Sequence, residues 1–155
     1  MGFNGPVVDL RRARTIAAEP QAIWDVLSDF GAISSWADNL DHSCLLEHGT
    51  DGVAIGTSRR VQVGRNTLVE RIIDIDPPAR LGYAIEGLPR RLKLSNRWAL
   101  SPVAGDHTEV SLTSTVNIGA NPVAALAERL VCRHLAKQSD ALLAGLARRV
   151  EGPRG

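Results

Sequence analysis

From residue 43 to residue 116, hydrophobic and polar positions alternate with few breaks, and the stretch is bracketed by two segments whose apolar residues recur at helical spacing. The alternation predicts strands near Ser43–His48, Thr57–Val63, Asn66–Ile75, Arg80–Glu86, Leu92–Leu100 and Thr108–Val116, after a first edge strand over Val7–Ile16. Turn residues separate them: Gly49-Thr50-Asp51-Gly52, Gly64-Arg65, Asp76-Pro77-Pro78-Ala79, Gly87-Leu88-Pro89 and Ser101 to Asp106. Each connection is short enough for a hairpin, so the strands run antiparallel. The opening helix is expected over Pro20–Phe30, with proline in the first turn, Ile23, Trp24 and Leu27 on one face, and an exit at Gly31. A second short helical turn follows over Gly31–Trp36, and a long closing helix runs from about Asn121-Pro122 to about Val150. The order implies an α+β chain in which a curved antiparallel sheet of about seven strands wraps round the closing helix. Such a sheet leaves a concavity suited to an apolar molecule.

Hairpins fix register, and register fixes faces. Pairing Val63 with Asn66 across Gly64-Arg65 puts Val61 opposite Leu68 and Arg59 opposite Glu70. The next turn sets Ile72 beside Tyr83 and Glu70 beside Ile85, and the following ones set Tyr83 beside Leu94 and Trp98 beside Val110. One face then gathers Arg59, Val61, Val63, Leu68, Glu70, Ile72, Leu81, Tyr83, Ile85, Leu92, Leu94, Asn96, Trp98, Val110, Leu112 and Val116, while Val69, Ile73 and Ile75 stand as apolar exceptions on the solvated face. On the closing helix, Ala127, Val131, Leu135, Gln138, Leu142 and Leu146 form a stripe flanked by Cys132 and His134, with Arg129, Arg133, Lys137 and Asp140 opposite.

Bulk properties narrow the partners. At 155 residues, 44% hydrophobic and 23% charged, the chain is expected to form one globular domain over residues 1–155, ordered from about 7 to 150. A net charge of +1 and scattered arginine pairs give no electrostatic reason to expect nucleic acid. Nothing has the length of a membrane span, and residues 1–6 lack the charged-then-apolar pattern of a leader, so the expectation is a cytoplasmic protein, monomer or homodimer, without stable membrane insertion. Cys44 and Cys132 stand far apart and read as core thiols; His42, His48, His107 and His134 lack ligand spacing. No metal and no cofactor are expected.

The chain resembles the polyketide cyclase/dehydrase and lipid-transport group of the START-like (SRPBCC) superfamily, whose helix-grip fold is shared with the major birch pollen allergen. The resemblance rests on Glu19-Pro20 before Ile23–Phe30, on Trp36, on Ile55-Gly56-Thr57 followed by Arg59 or Arg60, on Glu70-Arg71-Ile72 with Asp74 and Asp76, on Tyr83-Ala84-Ile85, on Leu88-Pro89, and on Thr108-Glu109-Val110 before the final helix. One departure is Ala37-Asp38 after Trp36, where many relatives carry a proline. The resemblance implies a pocket between sheet and helix, used in relatives for carrying lipids, sensing hormones or cyclising polyketides.

Two readings of the site stay open. In the first, the pocket binds or transports a small hydrophobic or amphipathic molecule through Trp36, Arg59, Val61, Leu68, Glu70, Ile72, Tyr83, Asn96, Trp98, Val131, His134, Leu135, Gln138 and Leu142, with no catalytic residue. In the second, the same pocket is a polyketide cyclase, aromatase or dehydratase that moves protons with Arg59, Glu70 or Tyr83. Arg59 and Glu70 are either a structural ion pair or an anchor for a ligand carboxylate or keto group. No nucleophile–base set, phosphate loop or dinucleotide fingerprint is present in the sequence.

Overall fold

The computed structural model describes residues 7–47, 53–88, 92–117 and 124–152, with side chains of the closing helix described from residue 129 onward. Outside that description fall the turn at Gly49–Gly52, Pro89, the Asn121-Pro122 helix start and the side chain of Ala127. Seven antiparallel strands form one sheet: β1 (Val7–Ile16), β2 (His42–Glu47), β3 (Ser58–Val63), β4 (Asn66–Asp76), β5 (Arg80–Glu86), β6 (Lys93–Val103) and β7 (His107–Asn117). Their spatial order is β1-β7-β6-β5-β4-β3-β2. Every neighbouring pair except β1–β7 is consecutive in sequence, as short hairpins require. The chain crosses from the β1 edge to the β2 edge through α1 (Pro20–Ser28) and a 3₁₀ segment (Phe30–Ser35). α2 (Ala124–Glu151) closes the structure.

Register agrees with the hydrophobic pattern through β3–β4, where Arg59 pairs with Glu70 and Val61 with Leu68, and into β5, where Ile72 pairs with Tyr83. Two expectations need correction. Tyr83 pairs with Asn96, not Leu94, because β6 begins at Lys93 after a longer connection. Trp98 pairs with Leu112, not Val110, because β6 and β7 extend to a tight turn at 104–106, where Gly105 and Asp106 both take positive φ. Both slips are of two residues, and since side chains alternate with period two, the residues of β6 and β7 keep their faces.

A bulge between Ile72 and Asp74 corrects the expected face of Ile75, which turns inward instead of standing on the solvated face. The extra residue, Ile73, stays half exposed, whereas Ile75 pairs with Leu81 and packs on the core. The opening helix stops at Ser28, two residues early, and Phe30 starts the 3₁₀ segment with its ring buried. Neither cysteine is a core thiol: Cys44 is exposed on the edge strand and Cys132 is partly exposed.

α2 is unequally embedded along its length. Its later half contributes Ser139, Leu142, Leu143, Leu146 and Ala147, all buried, and packs against β1, β7 and α1. Gly145 lets the helix backbone lie directly on the carbonyl of Trp36, where a Cβ would collide. Arg12 on β1 adds a two-pronged contact to Asp140 at 2.7–2.8 Å, and Arg148 pairs with Asp38. Among the described side chains of the earlier turns, Arg129, Leu130, Arg133 and His134 are exposed. Pinned at one end, α2 stands away from β3–β5 at the other.

Candidate functional site

That divergence opens a cavity of about 660 Å³ between the sheet and the first half of α2. This lies within the range of roughly 300–1,000 Å³ in which proteins bury small molecules. Its walls are supplied by alternate residues of β3, β4, β5 and β6, by Val116 on β7, and by Val131, Leu135 and Leu142 on α2. Period-two alternation puts Val61, Leu68, Tyr83, Ile85 and Leu94 on one surface; helical spacing puts the α2 residues opposite.

Of the fourteen residues predicted to meet a ligand, ten line the cavity: Val61, Leu68, Glu70, Tyr83, Asn96, Val131, His134, Leu135, Gln138 and Leu142. Four do not. Ile72 is completely buried behind the wall. Trp36 and Trp98 pack edge to face, 6.1 Å apart and 74° between planes, and fill the core beside α1 instead of presenting flat faces to the cavity. Arg59 is also behind the wall, held between two rings.

The arginine is enclosed on several sides. Its guanidinium carbon lies 3.8 Å from the Phe30 ring centroid and 4.7 Å from that of Tyr83. Nη1 donates to the Phe30 carbonyl at 2.9 Å, and Nε donates to Glu70 Oε1 at 2.7 Å. Nη2 sits 2.7 Å from the same oxygen, close enough for the ion pair but without the alignment of a hydrogen bond. Arg59 is only 2% exposed and does not line the cavity, whereas Glu70 does.

Around Glu70 the polar atoms are tied to one another. Trp98 Nε1 donates to the Tyr83 hydroxyl at 3.2 Å, and Ser114 Oγ donates to Asn96 Oδ1 at 2.6 Å. Burial pushes the Tyr83 phenol above its ordinary pKa, and the Glu70 carboxylate pushes it in the same direction. Nearer solvent, Asn39 donates an amide hydrogen bond to Gln138 Oε1, tying the loop after the 3₁₀ segment to α2. Gln138 thus bonds a side-chain amide while lining the cavity. The rim is more polar, with exposed Arg65, Asn66 and Thr67 on the β3–β4 hairpin facing the exposed His134 and Leu130 of α2.

Sequence reasoning missed several wall residues. Val63, Ile85, Leu92, Leu94 and Val116 share the predicted inward face, so register alone identifies them. Ile33, Asn39 and Leu40 come from the segment between α1 and β2, and no periodicity in that segment points to the sheet. Leu130 reaches the cavity from outside the predicted helix stripe.

The profile of the family described as polyketide cyclase / dehydrase and lipid transport matches residues 7–151. No curated protein matches the chain. Among solved structures, the Zhui aromatase/cyclase from Streptomyces sp. R1128 is similar, with 22% identity, a TM-score of 0.72, and coverage of 97% of this chain and 99% of the other. A START superfamily protein from Mycobacterium smegmatis superposes with a TM-score of 0.71 at 19% identity, covering 92% of this chain and 97% of that one. A solution structure from Thermobifida fusca shares 25% identity, with a TM-score of 0.69 and 92% of each chain covered.

Proposed function

The chain belongs to the polyketide cyclase / dehydrase and lipid transport family, and from that premise we propose that it binds a small hydrophobic or amphipathic molecule between the sheet and α2. Its architecture is the helix-grip fold of the START superfamily. The observation that carries the proposal is the cavity itself: about 660 Å³, walled chiefly by Val, Leu and Ile side chains, and open beside the first half of α2. Apolar wall area removed from water on filling provides the drive, at about 25 cal/mol per Å². The polar residues at the rim and at the deep wall orient the guest. Native mass spectrometry of the freshly purified protein, followed by organic extraction, tests this reading. The expected result is a non-covalent adduct recovered chemically intact; protein that carries no adduct and takes up no added apolar probe would overturn it.

A second reading, cyclisation or dehydration of a polyketide-like substrate, is favoured by one feature. Glu70 and Tyr83 occupy adjacent positions of the same wall, since Glu70 pairs with Ile85 two residues along β5. A carboxylate and a phenol held together can accept and return a proton. Among the described residues the wall holds no serine or cysteine, so proton transfer to a guest held in a reactive conformation is the chemistry it offers. Incubation with a linear poly-β-ketone distinguishes the readings: product formation that depends on Glu70 or Tyr83 supports catalysis, and unchanged substrate recovered from the cavity supports binding alone.

A further inference from the structure

We infer that the cavity selects an uncharged amphipathic molecule whose hydroxyl donates a hydrogen bond to Glu70, and that it discriminates against ligands headed by a carboxylate. The inference rests on the cavity being the ligand site. Of the buried pair, Glu70 is the member that reaches the cavity, while Arg59 is enclosed by Phe30 and Tyr83. Both Arg59 contacts fall on one oxygen, Oε1. The accessible tenth of the Glu70 side chain forms part of the cavity wall. Three further acceptors of the wall are engaged, the Tyr83 oxygen by Trp98, Asn96 Oδ1 by Ser114 and Gln138 Oε1 by Asn39, while Asn39 Oδ1, nearer the rim, has no partner but is itself enclosed by protein. What the deep wall offers a guest is therefore an ionised acceptor, and an ionised acceptor takes a hydroxyl proton.

A carboxylate placed there meets like charge, and it also gives up its hydration. The alternative position for an anionic head is the rim, beside Arg65 and His134. Those side chains are exposed, and solvent-exposed ion pairs add little. A charge-assisted hydrogen bond in the water-poor interior outweighs them.

The test compares three probes with one twelve-carbon chain: dodecanol, dodecyl methyl ether and dodecanoate, each used to displace Nile red at mildly alkaline pH. Nile red binding is measured first, because its failure would contradict the ligand site itself and its success leaves only head-group selection at stake. Dodecanol is expected to bind about tenfold more tightly than the ether, which keeps an acceptor and lacks the donor, and more tightly still than dodecanoate. The ratio between alcohol and ether should collapse in the Arg59→Met/Glu70→Leu double variant, which leaves no unpaired charge. Equal affinity of alcohol and ether, or dodecanoate as the tightest of the three, would overturn the inference while leaving the cavity as a binding site. Should the double variant not fold, the wild-type series decides alone.

Discussion

Arg59 and Glu70 are joined by charge but not by exposure, and their energetics follow from that difference. Breaking a buried pair by removing one partner costs about 3–5 kcal/mol, whereas replacing both by apolar groups of similar size costs much less. Arg59→Met is therefore expected to lower stability in urea by about that amount, because Glu70 keeps its charge 10% exposed with nothing to compensate it. Adding Glu70→Leu should restore at least about 1 kcal/mol, although the Phe30 carbonyl remains without its donor in both variants. Strict additivity of the two changes would show that they do not interact. The pairing itself was readable from the Gly64-Arg65 hairpin. The inequality between the partners was not, because the Phe30 ring and carbonyl that enclose Arg59 arrive from a segment 29 residues away.

Tyr83 supplies a second test at this scale, since it is the single tyrosine of the chain and tyrosinate absorbance reports it alone. Its pKa in the folded protein is raised by burial and by Glu70. The unfolded chain, with an ordinary phenol near 10, loses the proton first. The stabilisation is thus present below the unfolded pKa and lost as pH climbs towards the folded one. Alkaline titration should show no tyrosinate until the protein unfolds, and Tyr83→Phe should flatten that part of the stability profile. Reversible ionisation near pH 10 with the fold intact would place the phenol in solvent.

Among the elements, α2 carries the decisive asymmetry. Its apolar stripe was legible from spacing, but not its tilt, which depends on the contact between Gly145 and the Trp36 carbonyl. Glycine in a helix interior is normally worse than alanine by about 1 kcal/mol. Here the added methyl would meet backbone oxygen, and overpacking of that kind costs about 1–3 kcal/mol. Gly145→Ala is accordingly expected to lower the melting temperature despite its better helix propensity; a rise would mean that α2 is not seated on that carbonyl. The strands tell a parallel story. Hydrophobic alternation specified which face each residue takes, and even the two-residue slips at β5–β6 and β6–β7 left those faces intact. The bulge at Ile73 escaped notice because an extra residue reverses the alternation without leaving any signal of its own.

For the molecule as a whole, the sheet and the helix are each complete in the sequence pattern, while the cavity belongs to neither. It exists because seven strands curve round a helix fastened at one end by Leu142, Leu143, Leu146 and Ala147 and exposed further up at Arg129, Leu130, Arg133 and His134. Ten of the predicted contact residues line it, since facing follows from periodicity. Trp36, Ile72 and Trp98 fell out because an inward-facing side chain near the fastened end meets packed neighbours and not open space. The most direct test of the account is an equilibrium titration with Nile red of the wild type and of Leu135→Trp, which places an indole in the middle of the cavity at a helix position that is only partly buried. The wild type should bind saturably with blue-shifted emission, and the variant, with its melting temperature retained, should lose that binding by about tenfold or more. Equal binding by both proteins would contradict the account, because the dye would then be held somewhere other than between the sheet and α2.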